Sequence, residues 1–421
     1  MKSDIIEGLQ IVGFYSNSQL AERGVKEGDW IIEYNGEKVT SKAQLQELKL
    51  KFQNSNNIVL KIRRGDVEEY FQIWPGDLGI YLAEREKNPD ILPNAKRIEN
   101  INRLEKRTGI ENTFFGSLIN ILKVFEVEIN LTTLMGLSAF PFRIQFHESW
   151  TTDILDPTKG FDCAKFLFDN LNIKYKKIEN GSTPEHINKA IICSIDKRIP
   201  VLAKNLYGKN EWGIITGYQN QGKGIFCRSY SDKTIDYSLA TQNPDCIIIF
   251  ETKPKTFESD DMLQFEKPKI NSLEAAKNML STEIFGGYLI GNFAINKWIN
   301  ILENNDYFNS LTDKKFRKIC INNNLLFEKY SFNFLIASDY LESFIEIFPD
   351  SREHLKRLCK FYKAEGKILH DCQKFIPINS NEDLRNFFTQ QFRNNQVIAL
   401  IKIQKKNNEI LTIMEKLPLF K

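Results

Sequence analysis

"SQLAERGVKEGDWIIEYNGEKV" occupies Ser18–Val39 and sets the fold of the N-terminal part. Gln19–Arg23 suits one short helix, and Gly24 can end it because glycine tolerates the left-handed conformation at a helix C-terminus. Glu27-Gly28-Asp29 turns the chain into a predicted strand, Trp30–Tyr34. Asn35-Gly36 is the dipeptide of a tight hairpin turn, in which both central residues take positive φ. Upstream, "GLQIVGF" (8–14) is a glycine followed by a short apolar strand. Downstream, "SKAQLQELKLKF" (41–52) spaces Leu45, Leu48 and Phe52 along one helical face. "NIVLKIRRGDVEEYFQI" (57–73) reads as a hairpin that turns at Arg64–Asp66.

Helix, glycine, turn and strand in that order resemble a PDZ domain of the bacterial kind attached to HtrA-type proteases, over about residues 4–82. The resemblance implies a peptide site. The stretch Gly8, Leu9, Gln10 and Ile11 would hold a peptide's terminal carboxylate and accept the peptide as an added strand. The helix from Ser41 to Phe52, with Leu45 and Leu48, would form the other wall. "WPGDLGIYL" (74–82) is a candidate edge strand that completes the sheet, and a purely structural role for the whole domain stays open. Glu84–Ile101 is charged, has prolines at 89 and 93, and reads as a connector rather than a core element.

From Gly109 the pattern changes. "FFGSLINILKVFEVEI" is a predicted helix, followed by "NLTTLMGLSAFPFRIQF" (130–146), "GFDCAKFLFDNLNIKYKKI" (160–178), "INKAIICSIDKRIPVLAKNL" (187–206), "EWGIITGYQNQGKGIFCRSY" (211–230) and "DCIIIF" (245–250). The expected order is helix, helix–loop, helix, strand, helix, strand, then a strand hairpin and a final strand, with strands at Val201–Lys204 and Gly213–Gly217 and a hairpin turn at 219–224. This order and the motifs "SLINILKVF", "LMGLSAFPFRI", "GFDCAKFLFDNL" and "EWGIITGY" resemble the papain-like domain of the butirosin-biosynthesis protein H family and related cysteine peptidases, over roughly 106–250.

In that family a cysteine opens the first helix and a histidine precedes the "WG" strand. The thiolate attacks an acyl carbonyl and the imidazole carries the proton. This chain has Asn112, Thr113 and Phe114 at the first place and Glu211 at the second. A carboxylate with its ordinary pKa of about 4 is a poor base for an alcohol. Cys163 and Cys227 are read as lying within a helix and a strand, away from a helix start that would lower a thiol pKa. Arg143, set between apolar neighbours in "FPFRIQF", needs buried partners. Asp162 is the expected one in a structural ion pair, and a clamp on an anion or carbonyl is the functional alternative. Candidate ligand-binding residues are therefore Gly8, Leu9, Gln10, Ile11, Leu45, Leu48, Thr113, Arg143 and Glu211. No catalytic, cofactor or metal residue is assigned.

From Ser272 helical spacing returns, with five or six helices expected, among them "SLEAAKNMLSTEIF", "GGYLIGNFAINKWINILEN" and "LFEKYSFNFLIASDYLESFIEIFP". The predicted class is α+β. It comprises a PDZ-like β-rich domain (1–82), a linker (83–105), a papain-like α+β domain (106–260) and a helical domain (270–421) packed on it.

Length and composition agree with this scheme. The chain of 421 residues suggests about three domains. A net charge of +3 and a pI near 8.3 carry no basic stripe of the kind a nucleic-acid binder needs. The seven cysteines include no C-x-x-C pair, and the four histidines (147, 186, 354, 370) share no zinc-ligand spacing. No window approaches eighteen apolar residues, and the N-terminus lacks a signal peptide's apolar run. A cytoplasmic protein without cofactor, nucleic-acid or membrane partner is expected. Its function reads as non-catalytic binding of a peptide, a protein C-terminus or a small acylated ligand on a degenerate acyltransferase or peptidase scaffold. The alternatives are an amide-forming or amide-cleaving acyltransferase using Thr113, Cys163 or another arrangement, and a structural adaptor. Whether it is an enzyme, and its oligomeric state, stay open.

Overall fold

A computed structural model describes residues 8–14, 18–65, 67–83, 91–104, 112–179, 181–232, 237–252, 265–372 and 381–420. The class is α+β, with a helical C-terminal region. Glu111, Asp66 and residues 84–90 of the expected connector lie outside the described residues. The chain divides into two compact units, 1–113 with 177–249, and 114–176 with 250–421. The segment read as one papain-like domain thus contributes its first helices to one unit and most of its strands to the other.

The first unit begins with a sheet made of β1 (Leu9–Phe14), β2 (Trp30–Tyr34), β3 (Glu37–Lys38), β4 (Ile58–Arg64), β5 (Val67–Ile73) and β6 (Ile80–Ala83). Its order is β5-β4-β2-β1-β6, with β3 on β2. Local chemistry places these strands. Asn35 and Gly36 take φ of 52° and 81° and join β2 to β3 in a two-residue turn. Gly24 takes φ 84° at the end of the short helix Ala21–Arg23. Helix α1 (Lys42–Lys51) starts at Ser41, whose hydroxyl accepts the Gln44 N–H. One face of the strands and α1 closes a core of Leu9, Ile11, Ile31, Leu45, Leu48 and Leu60. Asp29 is buried, and the Arg64 fork donates to both its oxygens at 2.8 and 2.7 Å, tying β4 to the turn before β2.

A second sheet holds β7 (Lys96–Arg97), β9 (Tyr175–Glu179), β10 (Val201–Lys204), β11 (Trp212–Gln219), β12 (Gly224–Arg228), β13 (Ser238–Leu239) and β14 (Cys246–Phe250). Its order is β13-β12-β11-β10-β14-β9, and β7 pairs with β11. The last part of the predicted connector is therefore a sheet element. Arg97 pairs with Gly217, and Ile98, Ile101 and Leu104 are buried. Helix α5 (Pro184–Asp196) packs on this sheet, with Thr183 as its N-cap.

The second unit holds α2 (Thr113–Val124) beyond its first residue, α3 (Leu131–Leu137), β8 (Gln145–Phe146) and α4 (Cys163–Asn170). Then follow α6 (Glu266–Ser281), β15 (Ile284–Phe285), β16 (Tyr288–Ile290), α7 (Gly291–Glu303), α8 (Asn305–Ser310), α9 (Asp313–Glu342), α10 (Arg352–Asp371), α11 (Asn381–Phe387) and α12 (Gln390–Glu415). Seven helices follow residue 265 among the described residues, where five or six were expected. "IFGGYLI" is a hairpin that adds to β8, not part of a helix, because Gly286 and Gly287 both take positive φ. The centre of the bundle is aromatic and specific. Trp298 stacks on Phe146 at 5.5 Å and donates to Asn323, which in turn donates to Gln396. No helix of the described residues is long and apolar enough to cross a membrane.

Candidate functional site

Two of the positions singled out in the sequence stand close together. The backbone N–H of Trp212, which opens β11, donates to the Thr113 hydroxyl oxygen at 3.1 Å. The preceding side chain, Glu211, accepts a hydrogen bond from Ser231 at 2.9 Å. Both Thr113 and Glu211 are half-buried. The residue at the head of the first helix, the residue before the "WG" strand and a polar residue after the neighbouring strand thus converge. No imidazole hydrogen-bonds to Thr113 among the described residues. Ser231 carries no motif and escaped the sequence reading. Only the pairing of β11 with β12 brings its loop beside Glu211.

Around this site ionisation is set by burial. Burial pushes the Tyr230 hydroxyl up, and the nearby Glu211 carboxylate adds to the shift. Burial also raises the Asp232 carboxyl to about 7, while the Arg228 and Arg103 charges pull it down. Asp232 is a buried acid that titrates near neutrality and that no motif announced.

Neither candidate thiol is activated. Cys163 does open a helix, α4, contrary to the sequence expectation, and Asp162 is the N-cap, accepting the Lys165 N–H. Yet the thiol is fully buried, and burial pushes it up to about 12 in spite of the Arg143 charge. The Cys227 thiol is likewise fully buried and strongly raised. A thiolate is the nucleophile, so both stand far from reactivity at neutral pH.

Arg143 is a structural clamp on the chain's own carbonyls. It is only 1 % exposed. Its guanidinium donates to the carbonyls of Lys159, Phe161, Ile154 and Asp156 at 2.7–3.1 Å and lies 4.7 Å from the Phe140 ring. The expected ion pair with Asp162 is replaced by this set of neutral acceptors, because the loop 154–161 wraps its carbonyls around the fork.

The expected peptide site is rearranged. β1 is paired on both sides: Leu9 and Gln10 with β2, and Gln10 to Phe14 with β6. Gly8, Leu9 and Ile11 are buried, and Leu45 and Leu48 lie in the same core. Those five are interior residues, not groove lining. Gln10 is engaged as well, accepting from Arg103 at 2.9 Å, while Arg103 also donates to the Asp232 carbonyl. The strand at the end of the sheet is β6, at the place where the sequence suggested an edge strand. Its approach is built by Gln19, which donates to the carbonyls of Trp74 and Asp77, and by Ser18, which donates to that of Leu78. Gly79 is required there: its φ is +66°, and a Cβ would stand 2.7 Å from the Ser18 Cα. Lys49 of α1 lies 3.9 Å from Asp77 at the same turn.

Among the described residues no group of three or more His, Cys, Asp or Glu side chains is placed to hold a metal ion. No protein-family model matches the chain, and no curated protein is similar to it.

Proposed function

We propose that the protein is a non-catalytic binding protein on a scaffold that resembles a cysteine acyltransferase or peptidase, with a PDZ-like N-terminal domain that takes a partner peptide. One observation carries the reading. Where that chemistry needs a thiol and an imidazole, the chain has a threonine hydroxyl bonded to the Trp212 N–H and a carboxylate bonded to Ser231. The two buried thiols, both raised by desolvation, add support.

The partner is an extended peptide or a protein C-terminus, and it adds to β6 rather than to β1. Among the described residues β6 ends the sheet, Ile80 and Leu82 are only partly buried against the core, and Lys49, 3.9 Å from Asp77, brings a positive charge to the turn before the strand. Main-chain hydrogen bonds would supply affinity and side-chain pockets specificity. None of the seven cysteines is in a disulfide, which agrees with a reducing, cytoplasmic setting.

Isothermal titration of the full chain with a varied library of peptides ending in an apolar residue is the test. Free-acid peptides should bind about ten- to hundredfold tighter than amidated ones, because hydrogen bonds to a charged group contribute roughly 1.5–3 kcal/mol. Ile80→Asp should abolish binding. An absence of binding across the library, or binding indifferent to Ile80→Asp, would sink the β6 site.

A further inference from the structure

The second unit contains an open pocket of about 1000 Å³ whose wall includes Lys123, Asn130, Thr133, Phe265, Lys269 and Ser343. Lys269 is unusual among them. The residue is only 4 % exposed and its ammonium makes no hydrogen bond and no ion pair among the described residues, yet Nζ is not among the fully buried unpartnered atoms, so the stem is buried and the ammonium keeps access to the pocket. Its close neighbour is the Phe344 ring, 5.0 Å from Nζ, and the Glu266 carboxylate exerts a weaker field on it. Buried charges are ordinarily paired, because an unpaired one forfeits hydration without recovering it. An aromatic face offsets part of that loss and no more. A second lysine and three neutral hydrogen-bonding side chains line the same space.

We propose that this pocket binds a small organic anion, with a carboxylate of the ligand paired to the Lys269 ammonium. The volume is that of a small-molecule site, which is usually apolar with a few convergent polar groups. Phe265 provides apolar contact, Thr133 and Ser343 provide hydroxyls, and Lys123 provides a second positive charge on the lining. Glu126 and Glu128, also on the lining, disfavour a large polyanion such as nucleic acid and restrict the ligand to one that reaches past them. The proposal is independent of the peptide-binding reading, since it concerns the other compact unit.

The test uses the full chain and an acylating footprint. Lysines are acetylated with an N-hydroxysuccinimide ester and quantified by peptide mass spectrometry in succinate, citrate or inorganic phosphate, against chloride at matched ionic strength. At least one carboxylate probe should slow the labelling of Lys269 threefold or more and leave exposed lysines such as Lys189 unchanged. Lys269→Met should also raise the unfolding midpoint, since it removes the unpaired charge and keeps the volume, and should lose any stabilisation by that probe. Protection by phosphate but by neither carboxylate would overturn the carboxylate assignment. Labelling of Lys269 as fast in all three anions as in chloride would overturn the site.

Discussion

Removing the Arg143 guanidinium is the sharpest perturbation the fold offers. Arg143→Met keeps the apolar volume of the side chain and deletes the clamp on the loop 154–161. Four carbonyls, of Ile154, Asp156, Lys159 and Phe161, lose a charged donor. Each hydrogen bond to a charged group contributes roughly 1.5–3 kcal/mol, and a buried acceptor left bare costs about 1–3 kcal/mol. The four act on one loop, so the losses are not additive, and part of the loop can turn toward water. Gln145 also limits the loss, because it donates to the Ile154 carbonyl and accepts the Phe161 N–H. A destabilisation of about 4 kcal/mol follows, at the upper end of single substitutions. Arg143→Lys retains the charge but not the planar fork, and should cost about half as much. Denaturant unfolding followed by fluorescence reads this directly, because Trp150 lies in the adjoining loop and is buried. If Arg143→Met falls within about 1 kcal/mol of the wild type, the guanidinium does not hold the loop and the argument fails.

Glu365 is fully buried on α10 with neither carboxylate oxygen hydrogen-bonded among the described residues, and burial holds its pKa well above the ordinary value. The folded state then keeps a proton that the unfolded chain releases above about pH 4.3, so the native state loses up to about 1.4 kcal/mol per pH unit as pH rises from there toward the folded pKa. Glu365→Gln should remove that slope. Chemical denaturation at pH 5 and pH 8 should show the variant gaining on the wild type at the higher pH, and a pH-independent difference would refute it. Leu45→Ala, at a site 2 % exposed, should cost about 2–5 kcal/mol in denaturant titration of the full chain; a loss below about 1 kcal/mol would contradict the packing described. Alkylation at neutral pH with a small thiol reagent should spare Cys163 and Cys227 in the folded protein, and rapid stoichiometric modification of either, with loss of an activity, would restore the enzyme reading.

The local structure of the first eighty residues was legible because it depends on short-range backbone chemistry. Trp30–Tyr34 is the strand expected, since Gly28 and the Asn35-Gly36 pair bound it with positive φ. Val201–Lys204 and the 219–224 turn were readable for the same reason. The misread hairpin at 284–290 contains the apolar spacing of a helix, and only the left-handed glycines and the waiting edge of β8 favour the strand form. Asp162 is an N-cap residue type that the sequence displays, and its bond from the Lys165 N–H makes Cys163 the first residue of the helix rather than an interior one.

The residues that bear on function divide the same way. The sequence alone determined the α+β class, the order of the elements around Thr113 and Glu211, and the hydroxyl and carboxylate those two positions carry. Identity at a position is a property of the chain, so no packing can alter it. Tertiary structure decided which strand edge is closed. The β1–β6 pairing joins residues about seventy apart and turns Leu9, Ile11, Leu45 and Leu48 into core. It also gave Arg143 four carbonyls instead of a carboxylate, set Ser231 beside Glu211, and left the Lys269 ammonium without a hydrogen bond or ion pair among the described residues, beside an open pocket. Such partners are chosen by long-range register and helix packing, where the free energy of burial is summed over residues that share no sequence neighbourhood.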